Sequence, residues 1–299
     1  MTIADRLAGG DPLFSVEFFP PKDDAGEARL WESAGRLAAY HPDFVSVTYG
    51  ANGSTRDRTI GVTRRLAGTT GLTTMGHLTC VAQSVDEVAG VIDQYAASGV
   101  GHVFAVRGDM PGGPTVPWEP HPAGLANATR LVELIRARGD LEVGVAAFPD
   151  PHPAQYDAAL DARILADKWR AGAAFAITQM FFRPAAYTEL VDRVRSLGCP
   201  IPVIPGLMPI TSASQVTAFA AMSGTAMPAA LRDRLAGLAD DPAAVRALGV
   251  AVGTDLALDL LDRGAPGLHF FSQNRAGATL AIWEAVRRGA TTRVGPDPR

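Results

Sequence analysis

Residues 13–19 read LFSVEFF, a strand-forming and otherwise apolar run that carries a single carboxylate, Glu17. It is the first of eight such runs. The others are DFVSVTYG at 43–50, LTTMGHLTC at 72–80, GHVFAVRGD at 101–109, LEVGVAAF at 141–148, FAITQMFF at 175–182, PVIPGLMP at 202–209 and GLHFFSQNR at 267–275. Between them lie segments with apolar residues at helical spacing, such as ARLWESAGRLAAY, SVDEVAGVIDQYAASG and DARILADKWRAGA, several of them ending on Gly. Eight alternating strand and helix units in 299 residues predict a (β/α)8 TIM barrel, an α/β fold, rather than an open doubly wound sheet. The interval from Thr211 to Pro266 is too long for one crossover and predicts extra helices between strands 7 and 8. We expect one catalytic domain over 1–299, with about ten loose residues at each end and a polar, Gly- and Pro-containing tail after Arg288.

Composition narrows the chemistry. A net charge of −4 argues against a nucleic-acid surface or an acidic-membrane binder. The N-terminus has no basic segment followed by an apolar core, and no apolar stretch approaches membrane-spanning length. Two cysteines, Cys80 and Cys199, are too few for a disulfide framework, so a reduced, cytoplasmic protein is the expectation. The only lysines are Lys22 and Lys168, and neither sits in an apolar run that would depress its pKa for Schiff-base work. His77, His152 and His269 fall in different units without carboxylates at ligand spacing, so no metal site is expected. Gly-x-Ser-x-Gly, a strand-linked GxGxxG and a Walker loop are all absent.

Barrel chemistry collects at the C-terminal ends of the strands. Those ends carry Glu17, Thr48, His77, Arg107 with Asp109, Gln179, and Asn274 with Arg275. Glu17 raises the sharpest question, because an ionised carboxylate in an apolar setting finds partners or takes up a proton. Either it faces water on the wet side of its strand, or it is buried for a purpose.

The motifs FSVEFFPPK, FVSVTYGANGSTRDRT, GHLTC, VRGD, VAAFPDPHP, AITQMFF, PGLMPI and LHFFSQNR, in this order from about Phe14 to Arg275, resemble those of the bacterial methylenetetrahydrofolate reductases. The resemblance implies a TIM barrel that reduces the methylene carbon of 5,10-methylenetetrahydrofolate to a methyl group, normally by passing a hydride from NADH or NADPH through bound FAD. It further implies that Glu17 is the general acid that opens the imidazolidine ring to a 5-iminium cation, a task that calls for a raised pKa. Asp109 falls on the aspartate that stabilises the developing cation. Gln179, Phe181 and Arg275 fall on substrate-side positions. Thr48, His77, Arg107, Asp109, Ala147, His152, Asp161 and Lys168 fall on FAD-contact positions.

Other flavin positions depart from the family pattern. Asn127-Ala128 stands where the family has Tyr-Ala, HPE becomes HPA with Ala154, the tyrosine of AAYPE is Phe148, and the first lysine of LKxK is Ala166. Ala213 replaces a phenylalanine expected over the nicotinamide or folate. A hydrogen bond to a charged group contributes about 1.5–3 kcal/mol and a neutral one about 1, so three or four losses weaken a cofactor by several powers of ten. The resulting expectation is direct transfer from NADH or NADPH to a folate substrate, with FAD binding doubtful. An ordinary FAD-dependent reductase with ping-pong kinetics is the alternative, and a non-catalytic folate-binding barrel or a lyase on the same fold are more remote. The Leu, Ala and Val of the helices after Thr211 leave a homo-oligomer open.

Overall fold

A computed structural model describes residues 1–49 and 56–293. Part of the FVSVTYGANGSTRDRT motif, residues 50–55, and the final segment 294–299 lie outside the described residues. The chain forms a barrel of parallel strands: β1 Leu13–Phe18, β2 Phe44–Val47, β3 Thr74–Thr79, β4 His102–Val106, β5 Glu142–Ala147, β6 Phe175–Thr178, β7 Val203–Ile204, β8 Gly206–Leu207 and β9 Gly267–Phe271. Their order is β7-β6-β5-β4-β3-β2-β1-β9-β8. β7 pairs with β6, and β8 pairs with β9. These two short segments are one barrel strand interrupted at Pro205, which has no N–H to give the ladder but whose carbonyl accepts the His269 N–H at 3.0 Å. The expected eight-stranded ring is therefore present, closed through a strand split in two.

Each strand is followed by helix: α2 Asp24–Ala38, α3 Arg56–Thr70, α4 Val85–Ala97, α5 Ala128–Ala137, α6 Ala158–Arg170, α7 Pro184–Ser196 and α11 Ala276–Arg293. The extra helices expected after Thr211 are α8 Ala213–Ser223, α9 Ala229–Ala236 and α10 Pro242–Asp262. Caps follow from sequence. Ser84 and Glu87 close a capping box on α4, while Asp157, Ser212 and Asp241 accept backbone N–H groups at the starts of α6, α8 and α10. No helix of the described residues is long and apolar enough to cross a membrane.

The termini correct the sequence reading. Residues 3–8 are not loose but form α1 (Ile3–Ala8), with a Thr2/Asp5 capping box. The Ile3 and Ala4 N–H groups donate to the two carboxylate oxygens of Glu142 at 2.8 and 3.0 Å, placing a negative charge at the helix start where its dipole favours one. Ile3 is thereby buried under the barrel, in one cluster with Leu13, Phe44, Met75, Phe104, Phe175, Ile177 and Ile204. At the other end α11 runs on to Arg293, past the point where a loose tail was expected.

Strand alternation sorts each β-residue to one of two cores. On β1, Leu13 joins the barrel interior, while Val16 and Phe18 join the layer under the helices. Phe14 stacks on Trp283 of α11 at 5.0 Å between ring centroids. Ser15 and Glu17 share the parity of Leu13, so the barrel interior runs from apolar at its base to polar at its mouth. A third cluster, including Met180, Ile210, Val216, Leu231 and Leu248, seats α8, α9 and α10 against the end of the split strand.

Candidate active site

Glu17 is not on a wet face: it is 6% exposed at the C-terminal end of β1. Its Oε2 lies 3.4 Å from His77 Nε2 and 3.6 Å from His269 Nε2. The sequence reading denied these histidines a carboxylate partner. Closure of the barrel supplies one, because β1 lies between β2 and β9 in the ring and β3 follows one strand further on. Among the described residues no group of three or more His, Cys, Asp or Glu is placed to hold a metal.

Three buried polar atoms on β2, β3 and β9 make no hydrogen bond to protein: His77 Nε2 and His269 Nε2 beside the carboxylate, and Ser46 Oγ on β2. Ser46 is the register partner of Glu17 on β2. Buried polar atoms are nearly always satisfied, so this group, two of them beside one carboxylate, stands out among the described residues. Each histidine is held from its far side. The Tyr95 hydroxyl donates to the His77 carbonyl at 2.9 Å, and it reaches there because residue 76 is glycine; a Cβ on Gly76 would sit 2.4 Å from the Tyr95 ring. His77 also packs on Phe104, with centroids 4.7 Å apart. His269 Nδ1 shares a 2.8 Å hydrogen bond with Ser15 Oγ, and its ring lies between Phe44 and Phe271.

Burial pushes the His77 imidazole down to about 4, against the opposing pull of Glu17. The ring is therefore neutral at physiological pH. Between pH 6.5 and about 4 the unfolded chain binds this proton and the folded chain does not, so stability falls as pH drops through that window. The loss from His77 is on the order of 3 kcal/mol. His152, also lowered to about 4 by burial, acts in the same direction. We expect urea denaturation of the native chain to show this decline between pH 7 and 4.5, and a His77→Gln variant to show a shallower one. Identical pH slopes for the two proteins would contradict it.

The remaining predicted positions form a second group at the ends of β4 and β5. Burial raises the Asp109 carboxyl against the effect of Arg107, whose Nη2 lies 3.9 Å away. The Arg107 guanidinium sits over the Trp118 ring at 5.0 Å, and the indole is tied by its N–H to the Ala126 carbonyl at 2.7 Å. Asp161 accepts the His152 backbone N–H at 2.8 Å and the Gln155 amide at 2.6 Å. Lys168 corrects the expectation of an ordinary amine. It is buried, its Nζ donates to the Ala146 carbonyl at 3.0 Å, and burial lowers it to about 8 although Asp161 opposes the shift. Thr48 is half-buried at the end of β2, with its N–H on the Phe18 carbonyl at 2.9 Å.

Two positions implied by the resemblance, Phe181 and Ala147, lie in the layer under the helices. Phe181 is 2% exposed in the layer under the helices, its ring stacked on Tyr187 of α7 at 6.4 Å. β6 ends at Thr178, so strand parity no longer governs residues beyond Gln179. The Ala147 methyl is buried in the same layer, and its carbonyl accepts the Gln179 N–H at 2.8 Å. Arg275 is exposed at the start of α11, and among the described residues it has no ion-pair partner. Gln179 is half-buried, and its Oε1 accepts the Met180 N–H at 2.8 Å, which orients the amide. The residues that sequence reasoning missed are Ser15, Ser46 and His269. Their shared signal was parity, since each has the inward phase of Glu17 on its strand.

The departures from the family's flavin pattern have structural counterparts. Asn127 serves as the N-cap of α5, its side chain accepting the Arg130 N–H at 3.1 Å. Ala166 is fully buried in the helix-layer core, so that position presents a methyl group and no donor. At these two positions the side chains are a helix cap and a buried methyl, while Thr48, His77, Arg107, Asp109, His152, Asp161 and Lys168 keep the residue types of the family pattern.

Residues 2–287 match the family described as methylenetetrahydrofolate reductase. The 5,10-methylenetetrahydrofolate reductase of Escherichia coli K12 is 37% identical over 268 residues, covering 90% of this chain and 88% of that one. A probable methylenetetrahydrofolate reductase (NADH) of Oryza sativa is 32% identical over 291 residues, 94% of this chain and 49% of the plant protein. Among solved structures, a Clostridium thermocellum protein that binds two copies of 5-methyl-5,6,7,8-tetrahydrofolic acid superposes with a TM-score of 0.67, at 15% identity over 97% of this chain and all of that one. At that identity the likeness establishes the barrel alone.

Proposed function

The chain belongs to the methylenetetrahydrofolate reductase family, and we propose that it reduces 5,10-methylenetetrahydrofolate to 5-methyltetrahydrofolate with hydride taken directly from NADH or NADPH. The observation that carries the folate chemistry is Glu17: a buried carboxyl at a barrel strand end, facing two imidazoles that lie inside the barrel. In its protonated form Glu17 delivers a proton to the ring nitrogen that leaves the methylene carbon, which opens the imidazolidine and produces the 5-iminium cation. Asp109 contributes negative charge to stabilise that cation. Gln179, its amide oriented by the Met180 N–H, is assigned to hydrogen-bond the pterin. Arg275, exposed at the rim, is assigned to the acidic tail of the folate.

Direct transfer is supported by the flavin positions. Asn127 is spent as a helix cap, Ala166 offers a buried methyl, and Arg107 lies against Trp118. No step is assigned to flavin. The iminium carbon is itself a hydride acceptor, so holding the nicotinamide beside it replaces a shuttle by proximity.

The test is an absorption spectrum of the purified protein, followed on the same sample by methylenetetrahydrofolate-dependent NADH oxidation with and without added FAD. A colourless protein that turns over without flavin, with a sequential rate law, supports the proposal. A yellow protein, activity only with FAD, or ping-pong kinetics returns the chain to the flavin-dependent mode.

A further inference from the structure

The Glu17 carboxylate has no close hydrogen bond from the described residues; its neighbours are the two imidazoles at 3.4 and 3.6 Å. Its position is therefore set mainly by the backbone from which it projects. That backbone is clamped in an unusual way. The β1–β9 register ends at Glu17 opposite Phe271, and two residues later the chain turns through Gln273 and Asn274, both left-handed with φ of 53° and 56°. Beyond the Ser272 N–H, a chain turning in this way offers the ladder no further peptides.

Side chains continue it instead. Ser272 directs both its N–H, at 3.3 Å, and its hydroxyl, at 2.6 Å, to the Glu17 carbonyl. Asn274 then accepts the Phe19 N–H on Oδ1 at 2.9 Å and donates from Nδ2 to the Phe19 carbonyl at 2.8 Å. A carboxamide carries the same donor and acceptor pair as a peptide, and asparagine tolerates the left-handed region better than most residues. Asn274 is held in turn: its carbonyl accepts the Ser33 hydroxyl of α2 at 2.8 Å, and its N–H lies 3.3 Å from Ser272 Oγ. From the opposite side, the Thr48 N–H of the β2 end takes the Phe18 carbonyl at 2.9 Å.

We propose that Asn274 is a positioning residue for the reaction, its side-chain amide acting as one further rung of the β1–β9 ladder that fixes the Glu17 backbone and so the proton's point of delivery. The inference rests on Glu17 being the acid. Misplacement of a reacting group by about 1 Å costs on the order of a hundredfold in rate, so partial release of the strand end is expected to cost about tenfold or more in kcat.

The decisive variant is Asn274→Gly in the full chain. Glycine accepts the left-handed backbone without strain, so the turn survives while the amide rung is lost. The expected result is kcat reduced by about tenfold or more, with KM for methylenetetrahydrofolate within about twofold, because the Arg275 and Gln179 side chains are kept and the Asn274 carbonyl still holds the turn to Ser33. A folded Asn274→Gly enzyme with native kcat overturns the proposal, as does a loss confined to thermal stability. Should that variant not fold, Asn274→Asp decides the matter: it keeps an acceptor for the Phe19 N–H and a residue that tolerates the left-handed turn, but removes the Nδ2 donor to the Phe19 carbonyl. A kcat loss at constant KM then supports the rung, and native kcat refutes it. Failure of the underlying reading shows separately, as normal turnover by a Glu17→Gln enzyme.

Discussion

Glu17→Gln is expected to lower kcat by about two to four orders of magnitude, the usual share of a general acid, while methylenetetrahydrofolate binding stays measurable. Glutamine keeps the size and the hydrogen-bonding reach of the side chain but has no acidic proton to give. The surroundings offer no ready substitute. His77 is held neutral by burial down to about 4, so near pH 7 it has no proton to spare for the leaving nitrogen. His269 Nδ1 is engaged with Ser15, and its ring is fully buried between Phe44 and Phe271. A single-turnover assay alongside a folate-binding titration separates loss of chemistry from loss of binding. Near-normal turnover by the variant would remove Glu17 from the mechanism.

The second large effect concerns the closure of the barrel. Gly206 opens β8 just after the break at Pro205, and its position is fixed by its N–H, which donates to Thr178 Oγ1 at 2.9 Å. A Cβ there would lie 2.4 Å from the Thr178 carbonyl oxygen and 2.6 Å from the Phe271 ring. The first of these is backbone and cannot swing aside. Gly206→Ala is therefore expected to destabilise the chain by about 2–3 kcal/mol, at the upper end of overpacking costs. Gly90, inside α4, is the contrasting case, because a methyl group added there would meet nothing within 4 Å. There alanine should stabilise by about 0.5–1 kcal/mol through helix propensity. Urea denaturation of the two variants checks both signs, and equal effects at the two sites would sink the packing argument.

The eight strands and the helices between them were legible because alternation and helical spacing are properties of contiguous residues. The N-terminal segment was misread as loose because its partner, the Glu142 carboxylate, lies 138 and 139 residues along the chain from the N–H groups it receives. The split of the seventh barrel strand was hidden for a related reason. Pro205 is visible, but which neighbour each half pairs with is decided by ring closure.

At the site, strand-end position singled out Glu17, His77, Arg107, Asp109 and Gln179, because a parallel barrel brings all such ends to one face. Phe181 lies in the layer under the helices because the β6 ladder ends at Thr178, and its own apolar run does not show where that ladder stops. Lys168 looked ordinary in sequence because it sits in a mixed helical segment between Asp167 and Trp169, with Arg170 beyond, and in no continuous apolar run; the surroundings that lower its pKa come from folding.

By itself, then, the order of residues determined the barrel, the family and the place of a glutamic acid at the end of the first strand, all of which depend on local pattern and on motifs read along the chain. Tertiary structure alone decided what surrounds that acid: the two imidazoles, the Ser15 and Ser46 hydroxyls, and the Asn274 amide that completes a ladder its backbone leaves. The physical reason is closure. Phe19 and the Asn274 side chain that pairs with it are 255 positions apart. Only when the last strand returns beside the first does a carboxylate that would be costly in an apolar run acquire its setting.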